Sequence, residues 1–119
     1  MKIYKQTGGV MLKAGDLVTV DFRGATGIKR RPAVVISTDL YHSTRPDVLL
    51  GVVTTQLANA TTPTDYLLQD WSAAGLHQAS AFRAYLNTAK ASHVVVIGHL
   101  SDRDWQEVQA RLRLALALQ

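Results

Sequence analysis

The chain of 119 residues contains no cysteine. That excludes a disulfide framework, a thiolate zinc site and a cysteine nucleophile, and it suits a reducing, cytoplasmic setting. Proline is scarce, with three residues, too few for an extended, proline-rich linker. Long apolar runs are missing as well. Val94 to Ile97 is among the longest, far short of the roughly 20 residues that a membrane helix requires. The first ten residues, MKIYKQTGGV, lack the apolar stretch of a secretory signal. Acidic residues are thin at one end only. Residues 1–31 carry seven Lys/Arg against Asp16 and Asp21, whereas the remaining 88 residues carry six basic and seven acidic side chains. The formal charge of +4 therefore originates in the first quarter, most densely in Arg23-Gly-Ala-Thr-Gly-Ile-Lys-Arg-Arg31. Such a stretch fits either a polyanion site, where glycine lets backbone approach and cations neutralise phosphates, or a solvated basic turn.

What is present is a folded β-rich domain. Hydrophobic residues make up 47% of the chain, in the range of a globular core. A loosely tied N-terminal extension, residues 1–12, precedes a single domain over 13–119, and Met11 is a second candidate start. Alternating, β-branched segments predict strands at Leu17–Phe22, Ala33–Ser37, Val48–Thr55, Asp65–Leu68, Ser80–Leu86 and His93–Gly98. Residues 23–31 read as a loop. Pro32 is expected to open the second strand, since it cannot donate to a ladder. Residues 38–47 and 70–79 read as further loops. At Ser101-Asp102-Arg103-Asp104 the period changes: a capping residue and early acids start a helix, with Trp105, Val108, Leu112 and Leu116 on one face. Leu114 and Leu118 lie off that face and hint at a second buried surface. The fold class is thus mainly β (α+β): a small barrel or sandwich capped by a C-terminal helix.

Most catalytic constellations are absent. His42, His77, His93 and His99 show no metal-ligand spacing, so no metal and no cofactor is expected. Gly24-Ala25-Thr26-Gly27 leads to a strand rather than a helix, so it offers no pyrophosphate site. No Ser occupies a Gly-x-Ser-x-Gly turn. What remains is Arg30-Arg31-Pro32 at one strand start and Val53-Thr54-Thr55-Gln56 at another strand end. An arginine fork with threonine hydroxyls can clamp a phosphate, a set suited to cleavage of RNA by its own 2′-hydroxyl. By residues alone the plainer reading is a strand end beside a solvated turn.

Three blocks carry a resemblance: Gly15-Asp16-Leu17-Val18-x-Val20-Asp21-Phe22, then Arg31-Pro32-Ala33-Val34-Val35-Ile36-Ser37, then Val53-Thr54-Thr55-Gln56. In order and spacing they resemble the MazF/PemK toxin family, as does Ile97-Gly98-His99-Leu100-Ser101-Asp102 ahead of the helix. The resemblance spans about residues 13–118. It implies an SH3-like barrel with a C-terminal helix, a homodimer, and a sequence-specific, metal-independent endoribonuclease acting on mRNA. It also implies a cognate antitoxin whose disordered tail occupies the RNA groove. Carried over by position, Arg31 and Thr54 are the catalytic pair; Thr55 and Gln56 would complete the pocket. Lys29 and Arg30 are candidate RNA contacts. Arg83 stands in for an arginine that the family carries on its fifth strand, and Tyr85 either stacks a base or is a half-buried barrel aromatic. The acidic or histidine residue usual between the first two strands is missing here, which leaves the general base unassigned. A catalytically degenerate binder of nucleic acid or antitoxin on the same barrel is the alternative.

Overall fold

The computed structural model describes residues 11–118. Its elements run β1 (Asp16–Gly24), β2 (Gly27–Val35), α1 (Asp39–Thr44), β3 (Asp47–Thr54), β4 (Tyr66–Leu67), β5 (Ala81–Lys90), β6 (Val95–His99) and α2 (Asp102–Ala115), with single 3-10 turns at Leu57–Asn59 and Ala91–His93. The strands form one six-stranded sheet in the order β4-β5-β3-β2-β1-β6, and all its pairings are antiparallel.

The sheet is apolar on both faces, and strand alternation decides which residue goes where. One face carries Val18 and Val20 of β1, Ala33 and Val35 of β2, and Val48 and Leu50 of β3. Leu12, Ala89, Ala91, Val94 and Val96 pack onto the same cluster, so both ends of the sheet curl around it into a half-barrel. The other face carries Leu17, Val34, Val53 and Phe82 and is covered by Val108, Trp105 and Leu112 of α2 and by the 68–76 loop. Each fully buried Val, Leu or Phe contributes about 1.5–3 kcal/mol. The Ser101 side chain caps α2 by accepting from the Asp104 amide at 3.2 Å, a contact of about 1 kcal/mol. Asp104 is wholly buried and accepts the Tyr66 hydroxyl at 2.6 Å, the Gln69 amide at 3.1 Å and the Asp70 amide at 2.8 Å. Close backbone approach fixes the covering loop: a Cβ on Gly98 would overlap the Ala74 carbonyl, and one on Gly51 would overlap the Phe82 ring.

The structure corrects several sequence expectations. The loop expected at 23–31 is mostly strand. β1 and β2 form a long hairpin paired from Leu17↔Val34 to Gly24↔Gly27, and only Ala25 and Thr26 turn, with Gly27 at φ +124°. Cross-strand pairing has overridden the low strand propensity of these glycines and cations. Pro32 lies within β2 rather than at its start. The Ile36 amide bonds to Leu49 on β3, so by alternation the amide-less nitrogen of Pro32 faces the β3 side, where pairing has already ended at Ala33↔Val52. β5 continues to Lys90, four residues beyond the expected end. Residues 39–44, expected as loop, form α1, with Thr38 as N-cap. His93 falls in a 3-10 turn before β6, and Leu116 is the C-cap of α2 rather than part of its buried face. Leu12 is 3% exposed, so packing begins inside the stretch read as an extension; its residues 1–10 lie outside those described. Among the described residues, no helix is long and apolar enough to cross a membrane.

Candidate active site

The first face does not stay apolar along its length. Two residues at a time, β1 runs Val18, Val20, Phe22, Gly24; β2, read backwards, runs Ala33, Arg31, Lys29; β3 runs Leu50, Val52, Thr54; and β5, read backwards, runs Ala89, Asn87, Tyr85. Where the aliphatic positions end, these side chains line an open cavity of about 320 Å³ that also takes in Arg23 and Val53. A distortion of β5 widens it. Gly51 pairs with Leu86 and Val53 with Phe82, so two steps on β3 face four on β5, and the surplus residues bulge outwards. Tyr85 is 66% exposed as a result.

The cations of this cavity have no acid beside them, unlike five arginines elsewhere in the fold. Arg30 is paired with Asp21, Arg45 with Asp47, Arg83 with Asp65, Arg103 with Asp70 and Arg111 with Glu107. Among the described residues, the side chains of Arg23, Lys29 and Arg31 make no ion pair or hydrogen bond, and no carboxylate or imidazole lines the cavity with them. Three unneutralised cations in a concave, partly apolar surface focus a positive field on whatever enters. The Thr54 hydroxyl accepts the Gln56 amide at 3.0 Å, which orients its oxygen and leaves its proton free for a ligand.

The sequence candidates separate by face. Lys29, Arg31, Thr54 and Tyr85 come together at the cavity. Arg30 and Thr55, one residue out of phase, lie on the opposite face. Arg30 binds Asp21 at 3.2 Å and reaches Thr19 at 3.4 Å. Thr55 lines a second cavity of about 260 Å³ with Pro32, Leu76, His77 and Ile97. Gln56 contributes its backbone amide to Thr54. Arg83 points Nε at Asp65, 3.3 Å away. Burial pushes the Asp65 carboxyl up, but the Thr62 amide and hydroxyl and the Arg83 charge outweigh it and hold the carboxyl below its ordinary value. Sequence reasoning missed Arg23 and Asn87; the signal for Asn87 was its two-residue step from Tyr85.

The histidines stand apart. His42 is buried between the Ser37 hydroxyl at 2.6 Å and the Leu12 carbonyl at 3.2 Å, and His99 Nδ1 meets Asp16 at 2.8 Å. Among the described residues no group of three or more His, Cys, Asp or Glu is placed to hold a metal ion.

The family model of PemK-like, MazF-like toxins of type II toxin–antitoxin systems matches residues 13–116. The chain belongs to that toxin family. Solved structures agree with this MazF/PemK assignment at the level of fold. An endoribonuclease in complex with its cognate antitoxin from a mycobacterial species superposes with a TM-score of 0.77 at 18% identity, over 92% of this chain and 98% of that one. A MazE–MazF complex from Deinococcus radiodurans gives 0.72 at 19% identity, over 92% and 100%. MazF alone from the same organism gives 0.71 at 21%, over 92% and 99%. No curated protein sequence matches the chain. The family match thus covers nearly all of the described residues, and Arg31 and Thr54 meet at the cavity.

Proposed function

We propose that this MazF/PemK-family protein is a sequence-specific, metal-independent endoribonuclease, the toxin of a toxin–antitoxin pair. One observation carries the reading: Arg31 and Thr54 share a cavity whose three cations have no anion of their own. Cleavage by the substrate's 2′-hydroxyl forms a bond from O2′ to phosphorus and breaks the bond to O5′. The 2′ proton leaves with the attack, and the departing O5′ gains one. Between these events the phosphorane carries extra negative charge on its non-bridging oxygens. The Arg31 fork donates to two of those oxygens and the Thr54 hydroxyl to a third atom of the group, which stabilises the transition state more than the ground state. Lys29 and Arg23 hold the flanking phosphates.

The antitoxin-bound mycobacterial neighbour supports a cognate antitoxin as the second partner, its segment covering the same cavity and competing with RNA. Exposed Val95, Ile97, Leu114 and Leu118 are among the apolar side chains available to a homodimer.

A second reading has its own observation. With no carboxylate or imidazole at the cavity, an ordinary general base is missing, as expected of a chain that binds RNA or antitoxin without cutting. Incubating the purified protein with a long defined RNA in EDTA, beside Arg31→Ala, separates the two. Discrete cuts by the wild type alone support the nuclease. Binding of the same RNA without cuts leaves the binder.

A further inference from the structure

Of the polar side chains lining the cavity, two have no part in holding a phosphate. Among the described residues, Tyr85 presents an exposed ring with no aromatic or cationic partner, and Asn87 is half-buried with a side-chain amide that bonds to nothing. They stand two residues apart on β5, beside Arg31 and Lys29. The cavity of about 320 Å³ is equivalent to about ten waters at roughly 30 Å³ each, more than a phosphate fills. A flat ring next to an unsatisfied amide is the pairing that recognises an unstacked base: the ring takes its face and the amide its edge.

The surroundings decide which edge. Arg23, Lys29 and Arg31 are donors only, no carboxylate is present, and the Asn87 Oδ1 is the sole lining side-chain atom that only accepts. A base with carbonyl acceptors finds donors on several sides. A base with an exocyclic amine brings N–H groups towards cations and has one acceptor to meet them. We propose that Tyr85 and Asn87 form a base subsite beside Arg31 that selects uracil, which carries two carbonyls and no exocyclic amine, over cytosine and adenine. This rests on the RNA-directed reading of the cavity and names the part of the substrate that the site reads.

The test uses binding, so that it does not depend on cleavage. Fluorescent 2′-O-methyl oligonucleotides of uridine or cytidine, about ten nucleotides long to span one binding groove, cannot be cut because their nucleophile is blocked. The wild type is expected to bind the uridine oligomer about tenfold tighter, as one good edge contact allows. Asn87→Asp, whose carboxylate accepts from the cytosine N4 amine, is expected to reverse that ratio while weakening both oligomers. Tyr85→Ala is expected to weaken both equally. If Asn87→Asp melts too early to assay, Asn87→Ala takes its place and should bring the ratio to about one. Equal binding of the two oligomers by the wild type, or a ratio unmoved by the Asn87 variants, would overturn the subsite. RNA cleavage by the wild type with equal binding would leave the nuclease and remove the subsite; uridine preference without cleavage would do the opposite.

Discussion

Arg83 donates from Nε to the buried carboxylate of Asp65 at 3.3 Å, and so stands aside from the cavity that Tyr85 and Asn87, further along the same strand, both line. Position along β5 would suggest equal access; the ion pair withdraws Arg83 from it. Removing the cavity arginine and removing this one should therefore have unequal consequences. Arg31→Ala is expected to lower the cleavage rate roughly 100-fold or more, the scale of a lost transition-state donor. Arg83→Ala should stay within about tenfold of wild type, its loss falling on stability. Single-turnover rates on one RNA, set beside thermal melts, check both. Equal losses in rate would show that Arg83 reaches the phosphate.

The same pair makes a prediction about acid. Asp65 has a folded-state value below its ordinary one, near 3.9 in unfolded chains, so between the two values the unfolded chain binds more protons. Its contribution is complete above roughly pH 5 and disappears as pH falls through the lowered folded value. Urea denaturation from pH 6 down to 3 should show stability falling with acid in the wild type and a shallower fall in Asp65→Asn. Parallel curves would mean that Asp65 is no better held in the folded state than in the unfolded one.

Salt offers a third measurement. For single strands the logarithm of the binding constant falls with the logarithm of salt concentration by about 0.7 per phosphate neutralised. Three unpaired cations at the cavity predict a slope near −2 from this site, by the same rule. Lys29→Ala should make it shallower by about 0.7, whereas Arg30→Ala, which removes a residue already bound to Asp21 on the other face, should leave it unchanged. A slope that responds to Arg30 and not to Lys29 would put the RNA on the wrong side of the sheet.

Asp104 concerns the scaffold alone. Three donors converge on this wholly buried carboxylate, and it helps keep the Tyr66 phenol protonated, where burial is the larger cause and the carboxylate the next. Asp104→Ala leaves buried donors without an acceptor and is expected to cost about 3 kcal/mol or more, a fall in melting temperature of roughly 10 °C for a domain of this size. Tyr66→Phe, which removes one donor only, should cost about 1 kcal/mol. Differential scanning calorimetry of the two variants would show the ordering; a Tyr66→Phe variant as unstable as Asp104→Ala would contradict it.

Much of this architecture was legible in advance, and the parts that were not have physical reasons. The apolar alternation at 17–22, 33–37 and 48–55 marks strands buried on both faces, and Ser101 with its early acids marks α2, because those signals are local. The tip of the β1–β2 hairpin was not legible: Ile28, Lys29, Arg30 and Arg31 have neither the composition nor the one-sided pattern of a strand, and only pairing with β1 makes them one. α1 is too short for a helical period to show. Asp65 gains Arg83 across 18 positions of chain, and Asp104 gains Tyr66 across 38, which no local window contains. At the cavity, the positions matched to the family's catalytic pair come together with Lys29 and Tyr85, while Arg30 and Thr55 fall opposite because a strand sends neighbours to opposite sides.

That alternation also governs what mutation can do to the gene. A single codon inserted between Arg31 and Pro32 would carry Arg31 out of the cavity and bring its neighbour in, exposing the wrong cation to the substrate without disturbing the hydrophobic core beyond Ala33. Paired insertions preserve phase, and the two-residue turn at Ala25 and Thr26 is the place where they would be absorbed. Changes in hairpin length should therefore be inherited in even steps, so that the reach of the loop can drift while the parity of its charges is kept.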